Sequence, residues 1–168
     1  MTDIEFLRRV PIFSEFETEE LENLASRLRP ASYKADTILL EEGAINRGLH
    51  VVKSGKIRVA RTVDQDEVIL GDLVEGQTFG EMSILQDGFA SARLKVVEDT
   101  EVLTISINNL AAYLTEYPFA AAKFWRAMAI DLRGRLLQAN DLVRKYFEVN
   151  RALIENPMFR EAYSLCSH

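Results

Sequence analysis

The stretch that decides the fold is Gly76–Val97, which reads GQTFGEMSILQDGFASARLKVV. Glycines at positions 76, 80 and 88 divide it. The segment between the last two is amphipathic and long enough for one helical turn, and an alternating segment follows. A glycine just before a helix start leaves backbone N–H groups exposed, and a small anion can bind there. The stretch therefore predicts a turn, a single helical turn, a second turn and a strand, with a candidate anion site at Gly80.

The strand that ends this stretch has two different faces. Ala92, Leu94 and Val96 fall on one face, and Arg93 and Lys95 fall on the other. Because successive side chains of a strand point to opposite faces, such alternation predicts one buried and one exposed face. We therefore expect Leu94 and Val96 in the core, and we expect Arg93 and Lys95 to face outward.

Short β-like runs recur on both sides of this strand, between Ala31 and Ile107. The runs are Thr37–Leu40, Leu49–Lys53, Lys56–Arg61, Val68–Val74, Ser91–Val97 and Glu101–Ile105. Turn-forming residues separate several of them, at Gly43, Gly55 and 64–66. Many short strands with regular turns are typical of a β-sandwich or barrel. We expect a double-stranded β-helix, the jelly roll.

Helical periodicity flanks the β-rich region on both sides. Two helices are expected before it, over Asp3–Val10 and Ser14–Leu28, with Thr18 as a helix N-cap in the second. The helical period returns at residue 108, and a long helix is expected over 119–150. The predicted class is thus mainly β with flanking helices. One domain, 1–150, would hold helices in 3–29, a β-roll in 31–107 and helices in 108–150, followed by a short tail, 151–168.

The long helix carries apolar residues spaced alternately four and three apart, which is the pattern of a heptad seam. The predicted seam consists of Trp125, Ala129, Leu132, Leu136, Ala139 and Val143. A helix of about 30 residues is about 45 Å long, too long for a domain of this size to cover alone. We expect a homodimer through this seam. In the alternative, the first half of the helix packs on the roll and the rest packs on the tail.

The Gly80 region resembles the phosphate-binding cassette of the cyclic nucleotide-binding domain family. The resemblance rests on the segments Phe79–Met82, Ile84–Leu85 and Ser91–Ala92 and covers about 5–145. Two flanking segments fit as well: Val52–Ile57 resembles the family's strand–turn–strand, and Glu98–Val102 resembles its last hairpin.

The resemblance implies specific roles for the cassette residues and a ligand, cyclic AMP or cyclic GMP, with no separate cofactor. Gly80 and the backbone of Met82 and Ser83 would hold the cyclic phosphate, and Glu81 would accept a hydrogen bond from the ribose 2′-OH. The implied ligand-binding set is Phe79, Gly80, Glu81, Met82, Ser83, Ala90, Ser91 and Ala92.

One departure from the family pattern bears on function. Ala90 stands where the family has an arginine that forms a two-pronged pair with the phosphate. A charged hydrogen bond of this kind contributes about 1.5–3 kcal/mol, so its loss weakens binding by about tenfold or more. Arg93 is near in sequence, but the alternation turns it away from the face of Leu94.

The resemblance and this departure leave two functions open. In the first, the chain is a sensor or regulatory domain in which a ligand in the roll moves the helices after Ile107. In the second, it is a degenerate, ligand-free domain that acts as a dimerisation or protein-interaction module.

Composition excludes other classes. The chain has 168 residues, 48% hydrophobic and 27% charged, as expected for a soluble globular domain. No apolar run approaches the length of a membrane span, and the N-terminus does not resemble a signal peptide. The single Cys166 allows no internal disulfide and agrees with a cytoplasmic location. A cupin-type metal enzyme needs clustered histidines, and the two histidines here are not clustered. We therefore expect no metal site and no enzymatic activity.

Charge and length also bear on whether the chain binds nucleic acid. The net charge of −6 does not favour binding to DNA or RNA. In the transcription-factor branch of the family, a helix-turn-helix domain follows the long helix, and residues 151–168 are too few and not basic enough to form one. We expect no direct nucleic-acid partner and no membrane partner. A downstream protein partner would receive the signal.

Overall fold

The computed structural model describes residues 3–81, 84 and 88–155. The helices are α1 (Asp3–Arg9), α2 (Thr18–Arg27), α3 (Ile107–Glu116) and α4 (Pro118–Glu155), with a 3₁₀ turn at Pro11–Phe13. The strands are β1 (Arg29–Tyr33), β2 (Ile38–Leu40), β3 (Gly48–Val63), β4 (Asp66–Leu73), β5 (Thr78–Phe79) and β6 (Arg93–Ser106). No helix among the described residues combines the length and the apolar character needed to cross a membrane.

All pairings between strands are antiparallel, and two long strands organise them. The order is β1-β6-β3-β4, with β2 paired to β6 and β5 paired to β3. Register partners such as Leu49↔Ile105 and Val59↔Leu94 run along β3 and β6. The expected class, a mainly β jelly roll with N-terminal helices and a long C-terminal helix, is confirmed. We call β1–β6 and their connections the roll.

The core of the roll confirms the predicted alternation in β6. Leu94 is 6% exposed and Val96 is fully buried. On the opposite face, Arg93 and Lys95 form ion pairs with Glu41 and Asp36 at 2.8 Å. The buried apolar cluster that Leu94 joins contains Val52, Ile57, Phe79, Leu94 and Val102.

The expected last hairpin at Glu98–Val102 is wrong, because this segment lies inside the continuous strand β6. There β6 remains paired with β1 and β3 at once, through Tyr33↔Thr100 and Lys56↔Glu98. The Thr100 hydroxyl accepts a hydrogen bond from the Lys56 backbone N–H at 3.1 Å and donates one to the Glu98 carbonyl. The acidic side chains of this segment form ion pairs with Lys34, Lys53 and Lys56.

The expected turn at Gly55 is also wrong, since Gly55 lies inside β3 at an irregularity in its pairing with β6. Its φ is +88°, in the left-handed region that favours glycine. A Cβ at Gly55 would lie closer than 3.0 Å to Thr100 and to the Asp99 carbonyl. The glycine therefore permits a bulge and a close approach between strands rather than a chain reversal.

The hairpin between β3 and β4 is where the sequence placed it. Asp64 and Gln65 both have positive φ, 50° and 77°, as two-residue hairpin turns require. Arg61 and Val68, as well as Val63 and Asp66, are register partners on either side.

The N-terminal helices pack with α3 and the first turns of α4 in an aromatic cluster. The rings of Phe13 and Phe124 stack at 6.3 Å, and those of Phe16 and Tyr113 at 6.4 Å. The Tyr113 hydroxyl donates to the backbone carbonyl of Glu20 at 2.9 Å. This packing places α3 beside the N-terminal helices.

The predicted N-cap of α2 is wrong by one residue, because Glu17 rather than Thr18 caps the helix. Glu20 closes the cap by accepting a hydrogen bond from the Glu17 backbone N–H at 2.7 Å. The Glu20 carboxylate also accepts from Lys123 at 2.9 Å, which adds a tertiary contact to the local one.

The chain divides into two compact units, 1–127 and 128–168. Of the second unit, the structure describes the remainder of α4, a regular helix with exposed apolar side chains. Leu136 is 61% exposed and Val143 is 54% exposed. The helix continues to residue 155, beyond the predicted end at 150, since neither proline nor glycine interrupts that segment.

Candidate functional site

The turn at Gly80 follows β5 directly and has the geometry that glycine alone adopts easily. Gly80 has a φ of +88°. A Cβ at this position would lie closer than 3.0 Å to the Asn46 side-chain nitrogen and to the Gly48 carbonyl. The pairing His50↔Phe79 between β3 and β5 fixes the strand that leads into the turn. Both backbone conformation and space therefore demand glycine at position 80.

A polar network beneath the turn holds it in place. The His50 ring stacks on Phe79 with centroids 4.5 Å apart and planes 10° apart. His50 Nδ1 lies 2.9 Å from the Thr104 hydroxyl, and His50 Nε2 lies 3.0 Å from Asn46 Oδ1. The Asn46 amide nitrogen donates to the Gly48 carbonyl at 2.9 Å, so Asn46 Oδ1 accepts and His50 Nε2 carries the proton.

Burial lowers the pKa of His50 to about 4, so the ring is neutral at pH 7. The sequence analysis did not identify Asn46 and His50 as residues of the site. No local pattern marks them, because His50 reaches Phe79 through the pairing of β3 with β5 and Asn46 packs against Gly80 from the segment before β3.

The predicted cassette residues fall into three groups by burial. Phe79, Glu81 and Ala92 are buried, with Glu81 only 4% exposed. Gly80 and Ala90 are half-buried, and Ser91 is exposed. The Glu81 carbonyl accepts a hydrogen bond from the Ile84 backbone N–H at 3.1 Å, as in a first helical turn. The two remaining residues lie outside the described residues: Met82 and Ser83.

One short segment, 43–48, contacts both ends of the cassette. At one end, Asn46 and the Gly48 carbonyl pack against Gly80. At the other end, the Asn46 backbone N–H donates to the Gly88 carbonyl, and the backbone of Ala90 exchanges two hydrogen bonds of 2.8 Å with residues 43 and 44. The described part of the cassette therefore packs on the 43–48 segment.

The nearest arginine in sequence on each side of the cassette is paired with a carboxylate. Arg93 donates to both oxygens of Glu41, at 2.8 and 3.3 Å. Arg61 donates to Glu42 at 2.9 Å. The hydrogen bond from Arg93 lowers the pKa of Glu41, and those from the Thr62 N–H and Arg61 lower the pKa of Glu42, so both acids are ionised at neutral pH. Arg93 therefore faces its predicted outward side and does not lie against the Gly80 turn.

A second concave surface lies elsewhere on the roll. It has a volume of about 240 Å³ and is lined by Ser32, Tyr33, Lys34, Ser54, Asp99, Thr100 and Glu101. None of these belongs to the cassette. Among the residues that the structure describes, no three His, Cys, Asp or Glu side chains form a group that could hold a metal ion.

Comparisons with known proteins give the family context of this site. The family model described as the cyclic nucleotide-binding domain matches residues 30–117, which contain the whole cassette. The Cyclic AMP receptor protein of Thermus thermophilus is 32% identical over 156 residues, covering 92% of this chain and 68% of that protein.

Two further similar proteins are a channel subunit and a domain of a transcriptional regulator. The alpha subunit of the rod photoreceptor cyclic nucleotide-gated channel of Gallus gallus is 29% identical over 125 residues, which is 71% of this chain but 19% of the channel. The crystal structure of the N-terminal domain of a transcriptional regulator from Streptomyces coelicolor A3(2) matches with a TM-score of 0.70 and 26% identity. That match covers 82% of this chain and 94% of the domain.

Proposed function

Because this chain belongs to the cyclic nucleotide-binding domain family, we propose that it is a sensor or regulatory domain and not an enzyme. Its ligand is cyclic AMP or cyclic GMP, bound at the Gly80 turn. The observation that carries this proposal is the turn itself: a left-handed glycine, packed against Asn46 and Gly48, followed by a buried Glu81. The names of the Thermus receptor and of the channel agree with this ligand class.

Ligand affinity is low because Ala90 provides no charge for the phosphate. The Gly80 turn and the Glu81 carboxylate would still supply part of the family's contacts to phosphate and ribose. Without the arginine fork, the ligand loses a charged hydrogen bond of about 1.5–3 kcal/mol.

Ligand binding acts on the helices after Ile107 through the 43–48 segment. The Ile107 backbone N–H, at the start of α3, donates to the Arg47 carbonyl at 2.9 Å. The same segment contacts Gly80 and Gly88 at the two ends of the cassette. A ligand that shifts the cassette therefore shifts the start of α3, provided that it binds two states with different affinities.

The exposed seam of α4 supports a homodimer as the assembled form. Trp125 is 41% exposed, and Leu136 and Val143 are more than half exposed. Large apolar side chains at heptad spacing on a helix surface are typical of a helix that pairs with another helix. The complete proposed interface is Trp125, Ala129, Leu132, Leu136, Ala139 and Val143.

Ala90 also favours a second function, a ligand-free domain that serves as a dimerisation or protein-interaction module. Thermal unfolding in the presence of cyclic AMP, cyclic GMP or 5′-AMP distinguishes the two. A sensor is stabilised by millimolar cyclic nucleotide but not by 5′-AMP, since binding only to the folded state raises the melting temperature.

Hydrogen exchange then tests the coupling to the helices. A sensor changes the exchange of backbone amides in 107–116 when cyclic nucleotide is added, and a ligand-free module leaves it unchanged. Unchanged exchange together with unchanged melting at saturating concentrations of all three nucleotides would contradict the sensor.

A further inference from the structure

The basic residues of the roll are not all engaged in the same way. Arg29 donates to backbone carbonyls. The others, with one exception, form ion pairs with carboxylates: Lys34, Lys53, Lys56, Arg58, Arg61, Arg93 and Lys95. The exception is Arg47, which is exposed and whose side chain forms no hydrogen bond or ion pair within the part of the chain that the structure describes.

Arg47 lies near the end of the 43–48 segment, which supports the cassette. The residue before it, Asn46, is bonded to Gly88 and packed against Gly80. The carbonyl of the residue after it, Gly48, also packs against Gly80. The backbone of Arg47 therefore belongs to the segment that contacts both ends of the cassette. The residues that exchange hydrogen bonds with Ala90 lie in the same 43–48 segment.

The two other candidate arginines would have to leave a partner before meeting a ligand. Arg93 would break a two-pronged pair with Glu41, and Arg61 would leave Glu42. Arg47 would break no described hydrogen bond or ion pair when it binds an anion. The free energy of its new contact is therefore not reduced by the loss of an old one. A guanidinium suits a phosphate because it donates two parallel hydrogen bonds.

We propose that Arg47 contacts the phosphate of the bound cyclic nucleotide and supplies part of the positive charge that is missing at Ala90. This assignment rests on the proposed function and adds a residue outside the cassette to the binding site. It also gives Arg47 a role, since the other basic residues of the roll form ion pairs or hydrogen bonds and the Arg47 side chain forms neither with the described residues.

The test compares Arg47→Gln with Arg93→Gln, each in the unmodified chain and in the Ala90→Arg variant. Both substitutions remove one positive charge, from the exposed Arg47 or from the partly exposed Arg93, so the change in net charge is matched. Affinity for cyclic AMP is measured by isothermal titration calorimetry, and melting temperatures confirm that each variant is folded.

In the unmodified chain, Arg47→Gln weakens binding at least about tenfold, as the loss of a charged hydrogen bond does, whereas Arg93→Gln changes it by less than about twofold. In the Ala90→Arg background, the loss caused by Arg47→Gln is smaller but still exceeds that of Arg93→Gln, because two cations share the phosphate.

Equal effects of the two substitutions in the Ala90→Arg background overturn the role of Arg47 while leaving the proposed function intact. That background decides the question even where binding by the unmodified chain is too weak to measure. Absence of cyclic nucleotide binding by folded Ala90→Arg protein overturns the proposed function, and the role of Arg47 with it.

Discussion

Replacing Gly80 with alanine tests whether the turn is held as tightly as the contacts indicate. An alanine at φ +88° occupies the left-handed region, which costs about 1–2 kcal/mol for a residue with a Cβ. Its methyl group would also overlap the Asn46 amide and the Gly48 carbonyl. Overpacking of this kind costs about 1–3 kcal/mol, since Gly48 is backbone and cannot turn aside. We therefore expect Gly80→Ala to lower the free energy of unfolding by about 3 kcal/mol.

The chain offers a matched control at Gly76. Its φ is +82°, close to that of Gly80, but a Cβ there would meet no atom within 4 Å. Gly76→Ala therefore costs only the conformational part, about 1–2 kcal/mol. Urea denaturation followed by circular dichroism measures both variants, and their difference isolates the packing of Gly80 against the 43–48 segment. Equal losses of stability in the two variants would refute that packing.

Two further predictions concern pH and assembly. The folded pKa of His50, about 4, lies below its unfolded value of about 6.5, so the unfolded state binds the proton more tightly. Stability linked to His50 is therefore present above pH 6.5 and is lost as pH falls towards 4, by on the order of 3 kcal/mol. Urea titrations from pH 7 to 4 should show a shallower decline for His50→Gln, and an unchanged slope would contradict the buried neutral ring. Leu136→Asp should yield monomers in sedimentation velocity, because a seam excludes an unpaired charge, whereas Leu142→Asp, 70% exposed and off the seam, should leave the dimer intact. A monomeric unmodified chain would end the dimer proposal.

Local periodicity was sufficient to predict the parts of the fold that depend on neighbours in sequence. The alternation from Ala92 to Val96 predicted the buried face of β6, and the turn-forming residues at 64–66 predicted the hairpin, where Asp64 and Gln65 have positive φ. The long helix followed from its heptad spacing, although its exposed ends were misplaced by a few residues. In each case the local sequence pattern predicts the secondary structure that the residues adopt in the fold.

Two of the wrong predictions, the hairpin at 98–102 and the turn at Gly55, have a common physical cause, which is pairing between distant segments. The segment 98–102 resembles the family's last hairpin, but its pairing with both β1 and β3 keeps β6 continuous there. Gly55 resembles a turn glycine, but it is needed because Thr100 approaches it across the sheet. Such contacts depend on register, which the local sequence does not reveal.

The residues of the site also divide into those that a local motif reveals and those that only tertiary contacts reveal. Gly80 and Glu81 were identified from their motif, whereas Asn46 and His50 contact this turn from more than 25 positions away in sequence. The departure at Ala90 was visible in the sequence, but the unpaired state of Arg47 was not, because it depends on which carboxylates the other basic residues meet. The ligand roles of the cassette residues and the domain limits at 150 remain predictions.

The most direct test of the account is isothermal titration of the unmodified chain, Ala90→Arg and the Ala90→Arg/Glu81→Ala double variant with cyclic AMP and cyclic GMP. The account predicts weak binding by the unmodified chain and at least tenfold tighter binding by Ala90→Arg, about 1.4 kcal/mol, with much of that gain lost in the double variant. Folded Ala90→Arg protein that binds neither nucleotide would contradict the account, because the Gly80 turn would then not be a nucleotide site.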